Sequence, residues 1–130
     1  VLCRMKNDIC DVVDACIDGT LDEIELEFED NAAVCVVLAS EGYPVSYQKG
    51  FEITGLENFE GKESYYCFHA GSKKDGAGHI VTNGGRVLGV TAVGSTLQEA
   101  RANAYEATEW VFFANKYMRR DIGKAIDEAL

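Results

Sequence analysis

Residues 79–93, His79-Ile80-Val81-Thr82-Asn83-Gly84-Gly85-Arg86-Val87-Leu88-Gly89-Val90-Thr91-Ala92-Val93, hold two β-branched, apolar runs around an Asn-Gly-Gly break. Val, Ile and Thr are restricted at χ1 and pack well on a pleated surface, so 79–82 and 86–93 both read as strands. Asn-Gly tolerates the positive φ that a tight two-residue turn requires, so the break reads as a hairpin joining them. An antiparallel sheet is the expected core.

Working outward, Ala32 to Ala39 is almost wholly apolar and uncharged, the pattern of a central buried strand. Ser40-Glu41-Gly42-Tyr43-Pro44 ends it in a turn, and residues 45–62, punctuated by Gly50, Gly55 and Gly61, read as loop. Ser64 to Ala70 is a further strand, and Gly71 to Gly78 an exposed connection. Thr96-Leu97-Gln98-Glu99 matches a capping box, and Leu97, Ala100, Ala104, Ala107 and Val111 continue one apolar face. The spacing predicts a helix over about 97–114. An extended connection at 117–121 and a short amphipathic helix over about 122–129 then close the chain.

Upstream, Leu2, Met5, Ile9, Val12, Val13 and Cys16 recur at helical spacing, which predicts a helix over 2–18 stopped by Gly19. Ile24, Leu26 and Phe28 alternate with Glu25, Glu27 and Glu29, which predicts a half-buried strand with an acidic outer face. The order lacks β-α-β alternation. The expected class is therefore α+β, a mainly antiparallel sheet with helices on one face. The first helix precedes the sheet, so residues 1–19 read as the end of an upstream domain or linker, and 20–130 as the α+β domain proper.

A length of 130 residues suits one core, and 47 % hydrophobic with 26 % charged residues excludes a largely disordered chain. The formal charge of −10 is concentrated at one end. Residues 1–30 carry ten acidic side chains against Arg4 and Lys6, and the remainder nets only −2. That balance argues against nucleic acid or an anionic membrane as a partner, while the near-neutral body can still hold a small anion. Cys3, Cys10, Cys16, Cys35 and Cys67 form no C-x-x-C pair and have no histidine at ligand spacing. They read as buried free thiols of a cytoplasmic protein, with no metal site. No apolar run is long enough to span a membrane, and no export signal is present. Val1 in place of Met leads to the expectation that the chain is a piece of a longer polypeptide.

Gly84-Gly85-Arg86 is the most suggestive local group. Two glycines let backbone approach a ligand, and an arginine fork matches phosphate or carboxylate oxygens. On the residues alone, a hairpin turn followed by a surface arginine is the favoured reading over a ligand site, and the strand-to-helix step of a P-loop or dinucleotide fingerprint is missing. His69 and His79 lie on predicted strands, where packed or surface histidines are commoner than bases. Arg119-Arg120-Asp121 reads as a partly neutralised surface group, and Lys73-Lys74 as a solvated loop. The acidic run 22–30 lacks the glycine and spacing of a calcium loop. Six tyrosines, Tyr43, Tyr47, Tyr65, Tyr66, Tyr105 and Tyr117, fit core and rim packing or an interface.

Taken together, several motifs resemble one family. Ala39-Ser40-Glu41-Gly42-Tyr43-Pro44, Tyr47-Gln48-Lys49-Gly50, Ile53-Thr54-Gly55-Leu56, Phe68-His69-Ala70-Gly71, Thr82-Asn83-Gly84-Gly85-Arg86-Val87-Leu88 and Arg119-Arg120-Asp121-Ile122-Gly123 resemble the carboxy-terminal domain of the phosphoribosylamine–glycine ligases. The resemblance implies ATP-grasp enzymes of purine biosynthesis, which join glycine to 5-phosphoribosylamine through a glycyl phosphate while ATP becomes ADP and phosphate. It also implies that ATP and Mg (or Mn) are held mainly by preceding ATP-grasp domains, the partners of this segment, so that the 130-residue chain alone is expected to be inactive. Related enzymes set a Gly-Arg turn of this domain against the ribose phosphate, which places Gly84, Gly85 and Arg86 at the substrate phosphate. No catalytic residue is assigned. Val45 stands where the family usually has Gly, and Ser72 where Thr is common. A stand-alone, non-enzymatic binding or assembly module of the same fold is the alternative reading, and the equivalent domain of an ATP-grasp carboxylase a weaker one.

Overall fold

Strands β1 (Ala32–Ser40) and β5 (Arg86–Gly94) form the centre of the molecule in a computed structural model that describes residues 1–125 and 128. They pair antiparallel, with Val34 opposite Ala92, Val36 opposite Val90 and Leu38 opposite Leu88. β2 (Tyr65–His69) joins the far edge of β5, and β6 (Lys116–Tyr117) the far edge of β1, giving the antiparallel order β2-β5-β1-β6. The expected class is observed.

Helix α2 (Leu97–Thr108) covers one face of this sheet. Ala100, Ala104 and Ala107 are fully buried beneath it, small enough for the helix to settle closely on Val36, Leu38, Val87 and Val90. Each fully buried Val, Leu or Phe here contributes ~1.5–3 kcal/mol relative to exposure. Gly94 marks the closest approach, since a Cβ there would lie 2.6 Å from the Ala100 backbone nitrogen. The Glu99 N–H donates to Thr96 Oγ1 at 3.1 Å, as the capping box predicts, while the Glu99 carboxylate accepts from Ser95 N–H at 3.0 Å. Trp110 closes the sheet edge against Tyr65 and Phe59, with ring centroids 4.9 and 5.3 Å away.

Several boundaries differ from expectation for identifiable reasons. The hairpin at Asn83-Gly84-Gly85 does not form. β4 (Ile80–Thr82) pairs with β3 (Ser72–Lys74) in a separate two-stranded sheet, and its other edge bonds to residues 50–53. Gly71 separates β4 from β5, accepting from Asn83 N–H at 2.7 Å and donating to the Arg86 carbonyl at 2.8 Å. Asn83, Gly84 and Gly85 all keep negative or extended φ.

α2 stops six residues early because Phe112 exchanges two 2.9 Å backbone hydrogen bonds with Thr54. The Lys116 ammonium then takes over the carbonyls of Thr108 and Val111, at 2.9 and 3.0 Å. The amino-terminal helix is also shorter. A 3-10 turn at Leu2–Arg4 is followed by α1 (Ile9–Asp18), capped where Cys10 N–H donates to Asp8 Oδ1 at 2.8 Å. Gly19 ends it with φ 69°, as expected.

Residues 24–28 form no strand. Only Phe28 makes an antiparallel bridge, to Met5, flanked by bonds from Lys6 N–H to the Glu27 carbonyl at 2.8 Å and from Glu29 N–H to the Arg4 carbonyl at 2.7 Å. The Asn7 side chain bonds the Glu25 carbonyl and the Glu27 N–H at 2.9 and 2.7 Å, and Leu26 and Phe28 stay exposed. The thiols are less buried than expected, with Cys10, Cys16 and Cys35 exposed and Cys3 and Cys67 half-buried. Of the helix expected over 122–129, residues 122–124 form a turn, and its continuation falls on 126, 127 and 129, outside the described residues.

Candidate functional site

Ser40, the last residue of β1, is fully buried and fixes the Gly84-Gly85 segment from below. Its N–H donates to the Gly85 carbonyl at 2.7 Å and its hydroxyl to the Gly84 carbonyl at 2.9 Å. The ladder between β1 and β5 is irregular at this point, shifting between Leu38 and Ala39 so that Ala39 faces Arg86. Such an irregularity re-aims the side chain at the end of a strand.

The glycines here are demanded by packing. A Cβ on Gly85 would lie 1.9 Å from Tyr43 Cδ2, so the tyrosine ring packs directly against the glycine backbone. Gly84 and Gly71 touch backbone to backbone, with a Cβ on Gly71 falling 2.6 Å from the Arg86 carbonyl oxygen and 2.8 Å from Gly84 Cα. Tyr43 comes from the turn after β1, where its N–H donates to the Ser40 carbonyl at 3.0 Å. Val45 fits this turn without positive φ, because Gly42 takes the left-handed position at φ 95°.

These residues surround a hollow of about 530 Å³ whose wall includes Val37, Tyr43, Phe68, His69, Gly71, Gly85 and Arg86. Its floor is the face of the sheet opposite α2, where Phe68 stacks on Tyr66 at 5.6 Å. A second hollow of about 370 Å³ lies across the ridge made by Tyr43 and Arg86, walled also by Tyr117, Met118, Arg119 and Ile122.

Arg86 supplies the charge. Among the described residues its guanidinium has no hydrogen bond or ion pair, whereas the other arginines are engaged. Arg119 grips Asp121 in two bonds of 2.9 and 2.7 Å, which hold the Asp121 carboxyl below the usual carboxylate range. Arg120 lies 3.9 Å from Glu109. Arg119 is thus neutralised by Asp121 and Arg120 faces Glu109, and of the three only Arg119 borders the second hollow and none the first.

The two histidines separate. His69 lines the hollow, its Nδ1 2.7 Å from Ser72 Oγ. His79 lies at the β3–β4 turn, where its N–H and that of Ala77 hold the Asp75 carboxyl low. Lys73 and Lys74 are exposed on β3. No three His, Cys, Asp or Glu side chains converge among the described residues. No described helix is long and apolar enough to cross a membrane.

Gly84, Gly85 and Arg86 are therefore brought to one rim, together with residues whose part sequence reasoning missed. Ser40 and Gly71 position the segment, and Tyr43 shapes its wall. Their signal was a small residue at the end of each of two strands, legible only once β1, β2 and β5 are known to be neighbours. An apolar floor with an unneutralised guanidinium at its rim suits a small molecule carrying a phosphate or carboxylate.

Comparison with known proteins agrees with the family resemblance. The family described as "Phosphoribosylglycinamide synthetase, C domain" matches residues 33–125. A phosphoribosylamine–glycine ligase of Rhodopirellula baltica is 44 % identical over 131 residues, covering 100 % of this chain and 29 % of its own length. That of Caldanaerobacter subterraneus is 47 % identical over 123 residues, covering 94 % and 28 %. A bifunctional purine biosynthetic protein of Dictyostelium discoideum is 41 % identical over 95 % of this chain and 15 % of its own. The crystal structure of phosphoribosylamine–glycine ligase from Thermotoga maritima superposes with a TM-score of 0.68 at 43 % identity, over 85 % of this chain and 27 % of that one. The chain spans less than a third of the length of these relatives. With the family matched over most of its length and relatives above 40 % identity across it, the chain belongs to the phosphoribosylglycinamide synthetase family, as its C domain.

Proposed function

We propose that this domain forms one wall of a phosphoribosylamine–glycine ligase and receives the ribose phosphate of phosphoribosylamine at Gly84, Gly85 and Arg86. The observation that supports it most is the Arg86 guanidinium, unpaired among the described residues and set at the rim of a hollow. A phosphate there gains a charge-assisted, fork-shaped partner that no carboxylate among the described residues competes for. The flat floor of Val37 and Phe68 accommodates the apolar face of a sugar.

In this reading the complete enzyme condenses glycine with phosphoribosylamine at the expense of ATP. In the same reading ATP with its metal is held by the rest of the polypeptide. When bound there, ATP supplies the phosphoryl group that activates the glycine carboxylate. The part of this domain is to hold and orient the amine-bearing sugar phosphate through its far end, away from the reacting nitrogen.

Residues 1–19 are proposed to belong with a neighbouring domain, and 20–130 with the C domain. The family match begins at residue 33, and α1 leaves Ile9, Val13 and Ile17 exposed, an apolar stripe on an otherwise acidic helix.

The test is Arg86→Ala in the full-length ligase. Loss of a charge-assisted pair costs ~1.5–3 kcal/mol, so the KM for phosphoribosylamine is expected to rise roughly 10- to 150-fold while that for ATP stays within about twofold. An unchanged KM for phosphoribosylamine sinks the assignment.

A further inference from the structure

We infer that His69 is a second donor to the anion held by Arg86, with Ser72 fixing its ring, a role that rests on the placement of the phosphate at Arg86. Backbone pairing holds the two residues at neighbouring positions beside one hollow. Ala70 N–H donates to the Val87 carbonyl at 3.0 Å and Gly71 N–H to the Arg86 carbonyl at 2.8 Å, so residues 69–71 cannot slide relative to 86–88. His69 and Arg86 then line the same hollow.

The hydrogen bonding of the imidazole decides what it presents. Nδ1 is occupied by Ser72 Oγ at 2.7 Å, and Nε2 has no protein partner among the described residues. A serine hydroxyl can donate or accept. When it donates to Nδ1, the ring proton sits on Nε2; when the imidazole is cationic, Nδ1 donates to Ser72 and Nε2 still carries a proton. An anion facing Nε2 selects these two states, and Ser72 satisfies both by turning its hydroxyl. His79 is built differently, with its ring on the Asp75 carboxylate at 3.3 Å and away from the hollow. The chemical class recognised is a phosphomonoester that needs donors from two directions, Arg86 from β5 and His69 from the end of β2.

The test is steady-state kinetics of the full-length ligase carrying Arg86→Ala, His69→Ala, His69→Asn or His69→Gln. A glutamine amide reaches the place of Nε2, whereas asparagine reaches only that of Nδ1. His69→Ala and His69→Asn are expected to raise the KM for phosphoribosylamine about tenfold, with kcat and the KM for ATP within about twofold, and His69→Gln to stay within about threefold of the parent. If Arg86→Ala raises that KM and His69→Ala does not, His69 has no part and the Arg86 placement stands. If Arg86→Ala leaves it unchanged, the placement fails and the role of His69 fails with it. A change in all parameters together, or no rescue by glutamine, makes His69 structural and overturns the inference.

Discussion

Gly85 and Gly71 show how backbone shape makes room for chemistry. Both were legible in the sequence as small residues in suggestive motifs, but where the sequence suggested approach of a ligand to the Gly85 backbone, the structure shows a more local reason for the glycine. The Tyr43 ring occupies the space of a Gly85 Cβ, and backbone atoms occupy that of a Gly71 Cβ. An alanine at Gly71 meets atoms that cannot swing aside, whereas one at Gly85 meets a half-exposed ring that can. Gly71→Ala is therefore expected to destabilise the protein by about 3 kcal/mol and Gly85→Ala by about 1 kcal/mol, measured by urea unfolding. Equal costs would contradict the packing described.

Cys67 gives a second prediction at this scale. Burial, and then the neighbouring Cys35, push its thiol up to about 11 from an ordinary 9.0. The sign follows directly. The neutral thiol is favoured in the folded state, so its contribution is intact below pH about 9 and is lost as pH rises towards 11. Alkylation at pH 8, followed by peptide mass spectrometry, is expected to modify the exposed Cys10, Cys16 and Cys35 at least about tenfold faster than Cys67. Comparable rates would show that Cys67 is not shielded.

At the scale of elements, some boundaries are set by local signals and others by distant partners. The Thr96 cap, the Gly19 stop and the apolar run of β1 are readable because each depends on neighbours within a turn or on a strand's own composition, although β1 leaves Cys35 and Val37 exposed on one face where a wholly buried strand was expected. The carboxy-terminal end of α2 was not readable, since Thr54 and Lys116 determine it from outside the helix. The Asn83-Gly84-Gly85 break failed as a hairpin for the same kind of reason. Its turn chemistry is local, but Gly71 inserts between the two strands from β2's end. Lys116→Met keeps the apolar stem and removes both bonds to the α2 carbonyls. It is expected to cost about 1.5–3 kcal/mol in urea unfolding. A change below ~0.5 kcal/mol would mean that solvent replaces the ammonium freely.

For the whole molecule, the sheet has one face filled by α2 and one left as the floor of the hollow. That asymmetry, together with a length under a third of the relatives, places the site on a surface that faces the rest of a larger enzyme in the proposed reading. Charge follows the same division. The acidic excess stays in residues 1–30, and the open face offers Arg86 without a competing carboxylate among the described residues. Much of the site was visible as the string Gly84-Gly85-Arg86. Its depth was not, because Val37, Tyr43 and Phe68 come from separate strands and a turn.

The central claim is that the substrate phosphate rests on Arg86. A crystal structure of the full-length ligase with its glycinamide ribonucleotide product bound tests it most directly. Phosphate oxygens about 3 Å from the Arg86 guanidinium are the expected result. A phosphate held elsewhere, with Arg86 facing solvent, would contradict the account.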